Sequence, residues 1–112
     1  MTRVAITGIG VVSPLGLDAP STWRAALAGE SGIGWISTFD TDGLPVRVAG
    51  EVKGFDPTQV VSPKEARKLE RNVLLGVAAG REALEDAGLN GYDPTRVGVI
   101  FGSAIGGVPG IL

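Results

Sequence analysis

The 112-residue sequence contains no cysteine and no histidine. These absences exclude disulfide bonds, thiolate or imidazole metal sites, a cysteine nucleophile and a histidine base within this chain. No apolar stretch reaches the roughly 18 residues of a membrane span, and the N-terminus lacks the features of a signal peptide. The formal net charge of −2 gives no electrostatic footprint for nucleic acid. The sequence therefore predicts a soluble, cytoplasmic protein without metal, nucleic-acid or membrane partners.

Glycine and apolar residues are abundant, with 18 glycines and 44% apolar residues. Residues 4–12 and 97–102 are continuous apolar runs rich in β-branched side chains, which predicts strands buried on both faces. Residues 46–52 alternate well enough for a half-exposed strand, whereas residues 32–43 show no clear pattern. A domain of this length can bury roughly two thirds of the surface of its unfolded chain.

Two segments have the periodicity of helices. A short amphipathic helix is predicted after Ser21, ending at Gly29 and burying Trp23, Ala26 and Leu27. A longer helical pattern starts after Ser62 and runs to Ala87, with a break expected between residues 69 and 72. The predicted apolar face of this second segment comprises Ala66, Leu69, Val73, Val77, Leu84 and Ala87.

A ribbon of small residues runs beside that apolar face, comprising Gly76, Gly80, Ala83 and Ala87. A glycine inside a helix costs about 1 kcal/mol relative to alanine. The ribbon therefore predicts that another backbone comes close to this helix.

The order strand, helix, strand, helix, strand indicates an α/β layered fold. A parallel sheet is normally covered by helices on both faces, and only two helical segments are present. The sequence is therefore interpreted as the front of a longer polypeptide.

The glycines of Gly8-Ile9-Gly10 resemble the start of a dinucleotide fingerprint. Three features speak against cofactor binding: Ser13 replaces the third glycine, Pro14 interrupts the expected helix, and Glu30 lies at a helix end. A strand leading into a turn is the favoured interpretation, and no cofactor is expected.

Four basic residues occur at helical spacing within eight positions: Lys64, Arg67, Lys68 and Arg71. On a continuous helix they would form one stripe, which could dock an anionic partner. An ordinary solvated helix face explains the same spacing, and from spacing alone it is the favoured interpretation.

The turn from Gly102 to Gly107 follows the second apolar run, at the end of a strand where open α/β sheets bind ligands. Ile105 would project into such a site, although a glycine turn with one core isoleucine explains the pattern equally well. Ser13 and Ser103 have no histidine in the chain to activate them as nucleophiles.

Taken in order, these segments resemble the opening of the β-ketoacyl-acyl-carrier-protein synthases, especially the type II elongation enzyme. The resemblance is carried by residues 4–16, 21–23, 27–33, 62–68, 87–89 and 101–107. It implies a thiolase-like layered α/β/α fold, of which residues 1–112 form part of the N-terminal domain, apparently truncated after the glycine turn. It also implies a homodimer.

The reaction implied by the resemblance is decarboxylative Claisen condensation of an acyl-enzyme with malonyl-acyl-carrier protein in fatty acid biosynthesis. The family's catalytic cysteine and two histidines lie beyond the glycine turn, so this chain alone is expected to be inactive.

The resemblance assigns roles to four residues. Lys64, Arg67 and Lys68 match positions that contact the acyl carrier protein, and Ile105 matches the apolar residue at the acyl-chain end of the pocket. Family members often carry Asp and an aromatic residue where Glu70 and Asn72 stand, which predicts a weaker helix N-cap there.

Three alternatives stay open: a polyketide ketosynthase or its non-condensing chain-length partner, a non-enzymatic module that binds a carrier protein, and a nucleotide-binding oxidoreductase.

Overall fold

The computed structural model describes residues 1–107. The chain divides into two compact units, one formed by Val11–Phe55 and the other by Met1–Gly10 together with the residues from Asp56 onward. Among the described residues, no helix combines the length and the apolar character needed to cross a membrane.

Helix α1, Ala19–Leu27, lies in the Val11–Phe55 unit and begins three residues before the predicted start. Its N-cap is Asp18, whose carboxylate accepts a hydrogen bond from the Ser21 backbone N–H at 2.7 Å. Ser21 is therefore the third residue of the helix, and its hydroxyl completes a capping box with Asp18. The predicted end is confirmed, because Gly29 follows with φ +70°.

The same unit contains an antiparallel hairpin of β1, Ile33–Trp35, and β2, Val48–Gly50. Ile33 pairs with Gly50 and Trp35 with Val48. The strand predicted over residues 46–52 is confirmed in a shorter form. Strand β1 was missed, although the alternation in Ile33-Gly34-Trp35 is the signal that marks it.

The carboxylate of Glu51 holds the chain just beyond β1. It accepts hydrogen bonds from the backbone N–H groups of Ser37 and Thr38 at 3.1 and 3.2 Å, and from their hydroxyls at 2.8 and 2.9 Å. The hydrogen bonds from Ser37, followed by those from Thr38, lower the pKa of Glu51 from 4.5 to about 2.

The long helical segment of the other unit is interrupted, and the break at residues 67–70 overlaps the one predicted between residues 69 and 72. Helix α2, Pro63–Ala66, begins at Ser62 with the expected capping box to Glu65, and helix α3 spans Arg71–Ala87. Gly88 ends α3 in the left-handed conformation at φ +59°. Single-turn 3-10 helices lie at Pro57–Gln59 and Pro94–Arg96.

The N-terminal apolar run packs directly on the small-residue face of α3. A Cβ atom added at Gly8 would clash with the Ala83 carbonyl oxygen and lie 2.6 Å from the Ala87 nitrogen. One added at Gly10 would lie 2.7 Å from the Ala83 nitrogen and clash with the Ala79 carbonyl oxygen. The predicted close approach of a second backbone to α3 is confirmed at Ala83 and Ala87, but not at the two glycines of the ribbon.

Gly76 and Gly80 lie instead beneath the Phe101 ring, which approaches within 3.4 Å of a Cβ built at Gly76. A cavity of about 520 Å3 lies between α3 and the two apolar runs, with Thr7, Val77 and Leu84 in its wall.

Neither apolar run is a hydrogen-bonded strand in the part of the chain that the structure describes. The prediction of strands buried on both faces is wrong for these residues: Val4 is 92% exposed and Ile100 is 97% exposed. A strand exists only through hydrogen bonds to a neighbouring strand, and the sequence of one run carries no information about its neighbour.

The predicted apolar helix faces are also largely uncovered. Trp23 and Leu27 of α1 are exposed, as are Leu69, Val73 and Leu84 in or near α3, and the buried apolar residues among those described are Ala25 and Leu74. Most side chains of these apolar faces are therefore exposed to solvent in the described part of the chain.

Replacing Glu51 with Gln is expected to destabilise the protein at neutral pH, because Gln presents one acceptor oxygen where the carboxylate presents two. Since the folded-state pKa lies below the unfolded value, the stabilisation is present above pH 4.5 and is lost as the pH falls toward about 2. Urea unfolding of both proteins across this range checks the prediction. Glu30→Gln controls for the lost charge, and a stability difference independent of pH would contradict it.

Replacing Gly8 with Ala is expected to destabilise the protein by about 1–3 kcal/mol or more, because the new methyl group meets helix backbone, which cannot move aside. Gly34→Ala is the matched control, since its nearest neighbour is the Lys53 Nζ at 4.0 Å. Urea midpoints that fall equally for the two variants would contradict the packing argument.

Candidate functional site

Three basic residues project from the short α2 segment. We call Lys64, Arg67 and Lys68 the basic cluster; all three are exposed. Lys64 lies in α2, Arg67 is its C-cap, and Lys68 follows in a turn in which its N–H donates to the Glu65 carbonyl at 2.9 Å. The guanidinium of Arg67 donates to the Pro63 carbonyl at 3.1 Å, which holds the side chain along the helix.

The acidic residue within this segment is hydrogen-bonded to the N-cap of α2. One carboxylate oxygen of Glu65 accepts hydrogen bonds from the Ser62 hydroxyl at 2.7 Å and the Ser62 N–H at 3.1 Å. The hydrogen bond from the Ser62 hydroxyl lowers the pKa of Glu65 most, and the bond from the Ser62 N–H lowers it further. Within residues 1–107, no carboxylate lies within 4 Å of a basic-cluster nitrogen. The positive charge of the basic cluster is therefore not paired with a carboxylate of residues 1–107.

The single stripe on one continuous helix is not what the structure shows. The helix breaks between Ala66 and Arg71, so Arg71 is the first residue of α3 rather than a fourth member of the basic cluster. Glu70, the N-cap of α3, makes no side-chain capping hydrogen bond. This agrees with the weaker cap expected at that position, since a longer Glu side chain caps less well than Asp.

Apart from the cavity between α3 and the two apolar runs, a second cavity lies at the N-terminus of α3. The turn of residues 103–107 and residues 70–72 line a cavity of about 430 Å3. A Cβ atom at Gly107 would lie 2.8 Å from the Glu70 Cγ, and Gly106 adopts φ +65°. The two glycines thus allow the turn to lie against the start of α3.

Ile105 lines this cavity and is 77% exposed. The interpretation of Ile105 as a buried core residue does not hold for the residues described. An exposed isoleucine at the edge of a cavity is suited to contact an apolar ligand or another apolar surface. Ser103 lies in the same wall.

The glycines of the possible dinucleotide fingerprint have another use. Gly8 and Gly10 make room for the backbone of α3. The next helix along the chain, α1, has the Asp18 carboxylate at its N-terminus, where a bound phosphate would need free N–H groups and positive potential. Ser13 forms a tight turn with Gly16, in which the Ser13 N–H donates to the Gly16 carbonyl at 2.8 Å.

Sequence reasoning missed a repeated capping motif. Asp56-Pro57-Thr58 and Asp93-Pro94-Thr95 each start a 3-10 helix, and in each the Asp carboxylate accepts from the Thr N–H at 2.9 Å and the Thr hydroxyl at 2.7 Å. The hydroxyl bond, followed by the N–H bond, lowers the pKa of each Asp. The repeated Asp-Pro-Thr triplet is the signal that would have found them.

The chain matches the family model described as beta-ketoacyl synthase, N-terminal domain, over residues 1–110. It is 50% identical over 108 residues to 3-oxoacyl-[acyl-carrier-protein] synthase 2 of Vibrio cholerae, covering 95% of this chain and 26% of that protein. It is 47% identical to the protein of the same name from Coxiella burnetii, covering 97% of this chain and 27% of that protein. The chain thus spans about a quarter of the length of these relatives.

The structure is similar to a solved structure titled the ishigamide ketosynthase/chain length factor. The TM-score is 0.68 and the sequence identity is 35%, over 76% of this chain and 21% of the other. The likeness extends to the fold of a ketosynthase, of which the helices and hairpin described above form a part. Since the family model covers residues 1–110 and the two relatives are each at least 47% identical, the chain belongs to the β-ketoacyl synthases, as part of their N-terminal domain.

Proposed function

We propose that this chain is the N-terminal portion of a 3-oxoacyl-acyl-carrier-protein synthase that elongates fatty acids. The observation that carries the proposal is the 50% identity, over 95% of the chain, to a relative of that name. The complete thiolase-like sandwich, a homodimer and a cytoplasmic location belong to the same proposal.

In the proposed reaction, a cysteine thiolate attacks the thioester of an acyl-carrier protein and becomes acylated, and the carrier leaves as its thiol. Malonyl-carrier protein then loses CO2 between two histidines. The resulting carbanion attacks the acyl-enzyme, forming a carbon–carbon bond and releasing the cysteine. Because this chain has neither cysteine nor histidine, all three groups must come from other parts of the polypeptide.

The role proposed for the basic cluster is docking of the acidic acyl carrier protein. Its three cations are exposed and have no carboxylate within 4 Å among the described residues, and Glu65 is engaged with Ser62. Unpaired cations on one short segment steer an anionic partner and fix its orientation more than they add raw affinity. In this proposal, the acyl carrier protein binds to the basic cluster when it delivers its acyl group to the enzyme.

The role proposed for Ile105 is to border the acyl pocket. Its exposed side chain lies on the cavity at the start of α3, and apolar side chains are the usual lining of sites that bind hydrocarbon chains. The size of the residue at this position would then limit the length of acyl chain that the pocket accepts.

The second candidate is a polyketide ketosynthase or chain-length factor, which the structural similarity at TM-score 0.68 favours. Sequence identity separates the candidates, since it is 35% to that protein and 50% to the elongation enzyme. A free-standing carrier-binding module is disfavoured by the uncovered apolar faces. Sequencing beyond Leu112 separates the elongation enzyme from a non-condensing chain-length factor, because the elongation enzyme requires a downstream cysteine and two histidines. A polyketide ketosynthase needs the same three residues, so it is separated by assaying the full-length protein with fatty acyl-carrier protein.

The proposed activity predicts that the full-length protein forms 3-oxoacyl-carrier protein and CO2 from acyl- and malonyl-carrier protein, measured by mass spectrometry of the carrier and release of labelled CO2. The 112-residue chain alone is expected to do neither above background. Condensation by the isolated chain would contradict the assignment of the chemistry to other segments.

Reversing two charges of the basic cluster, Lys64→Glu with Arg67→Glu, is expected to raise the KM for acyl-carrier protein on the order of tenfold. The KM for a small acyl thioester should stay within about twofold, because that substrate makes no use of the docking surface. Arg24→Glu with Arg96→Glu is the matched control, since it changes the charge equally at two exposed positions elsewhere. Equal losses with both substrates would indicate a folding defect instead.

Replacing Ile105 with Phe is expected to shorten the acyl chains accepted, because the larger ring would take up pocket volume. The measurement is kcat/KM over a series of acyl-carrier proteins of increasing length, with Ile105→Leu as the control of nearly equal volume. A length profile that is the same for all three proteins would remove Ile105 from the pocket.

A further inference from the structure

A side chain of α3 bonds to the segment that carries the basic cluster. The guanidinium Nη1 of Arg81 donates a hydrogen bond to the carbonyl oxygen of Val60 at 2.7 Å, across 21 positions of sequence. A hydrogen bond from a charged donor is shorter and stronger than one between neutral groups. The function proposed above does not use Arg81.

The bond lies close to the start of α2. Val60 is the C-cap of the 3-10 helix Pro57–Gln59, and it stands two residues before Ser62, the N-cap of α2. The N–H groups of Val60 and Val61 both donate to the Pro57 carbonyl at 3.1 Å, and Ser62 is fixed by its capping box with Glu65. Local hydrogen bonds therefore hold the stretch from Pro57 to Ala66 together.

Local bonds do not orient that stretch on the rest of the unit. Helix α2 has four residues, far fewer than an isolated helix needs for stability in water. Its orientation must come from tertiary contacts, and Arg81 supplies one at the position where the stretch turns into α2. The other end of the segment runs into Glu70, which makes no side-chain capping bond to α3.

We infer that Arg81 is a positioning residue for the basic cluster: by holding the Val60 carbonyl, it fixes the direction in which Lys64, Arg67 and Lys68 face the acyl carrier protein. The inference rests on the proposed docking function. Arg81 acts through the backbone of Val60 and not through the reacting groups.

The test uses the full-length protein with Arg81→Ala, Arg81→Lys and, as a matched control for loss of an exposed arginine, Arg96→Ala. Hydrogen–deuterium exchange without substrate reports on residues 60–66. Kinetics compare kcat/KM for acyl-carrier protein with kcat/KM for a small acyl thioester. Lys64→Glu with Arg67→Glu is measured in parallel.

Arg81→Ala is expected to speed amide exchange in residues 60–66 and to lower the ratio of the two kcat/KM values by roughly fivefold, because the cluster is still present but no longer held. Arg81→Lys keeps a charged donor, so its amide exchange and its ratio of kcat/KM values should stay much closer to those of the unmodified protein. Arg96→Ala should change neither quantity. Exchange in the absence of carrier protein separates positioning from direct contact, because a contact residue would leave it unchanged.

Unchanged exchange in Arg81→Ala overturns the inference whatever the kinetics. Faster exchange with an unchanged ratio overturns it as well, since α2 would then be loosened without consequence for docking. If the double charge reversal also leaves the ratio unchanged, the proposed docking function fails and the inference with it. If the reversal lowers the ratio and Arg81→Ala does not, the inference alone fails.

Discussion

The close contact between two backbones is the constraint on which the unit containing α3 depends. Gly8 and Gly10 lie so near α3 that a single methyl group at either position would overlap the backbone at Ala79 or Ala83. The Asp86 carboxylate reinforces the contact by accepting the Ile9 N–H at 2.9 Å. Such proximity requires small residues on both partners, which accounts for Ala79, Ala83 and Ala87 on this face of α3.

Once α3 is held in this way, it becomes the frame for both candidate sites. Its first residues border the cavity lined by Ile105, its middle lies beneath the Phe101 ring, and Arg81 reaches the carbonyl that precedes α2. A substitution at Gly8 or Gly10 that displaces α3 would therefore disturb both candidate sites. The basic cluster lies next to four-residue α2, a length that has little helical stability of its own.

The features that sequence predicted best are local. The capping box at Ser62, the end of α3 at Gly88 and the break between α2 and α3 all follow from residues within one turn of each other. The prediction of buried strands for the two apolar runs was wrong, because a strand is defined by its hydrogen bonds to a neighbouring strand. The prediction of a buried face at Trp23 was wrong, because periodicity shows which side of a helix is apolar but not what covers it. Of the site residues, Lys64 and Ile105 were singled out by their sequence positions and received their proposed roles from the resemblance. Arg81 required the structure, since nothing local links it to Val60.

The distribution of charge also depends on hydrogen bonds between residues close in sequence. The chain has 12 acidic and 10 basic residues, yet the carboxylates of Asp18, Glu51, Asp56, Glu65 and Asp93 are each engaged by the N–H and hydroxyl of a nearby Ser or Thr, which lowers their pKa. Hydrogen-bond dipoles are the main stabilisation of these ionised acids, and at Asp18 the charge of Arg24 makes a smaller contribution. An acidic chain can thereby carry a local positive surface. Glu65 caps the start of α2 through its hydrogen bonds to Ser62, and it does so without forming an ion pair with the basic cluster.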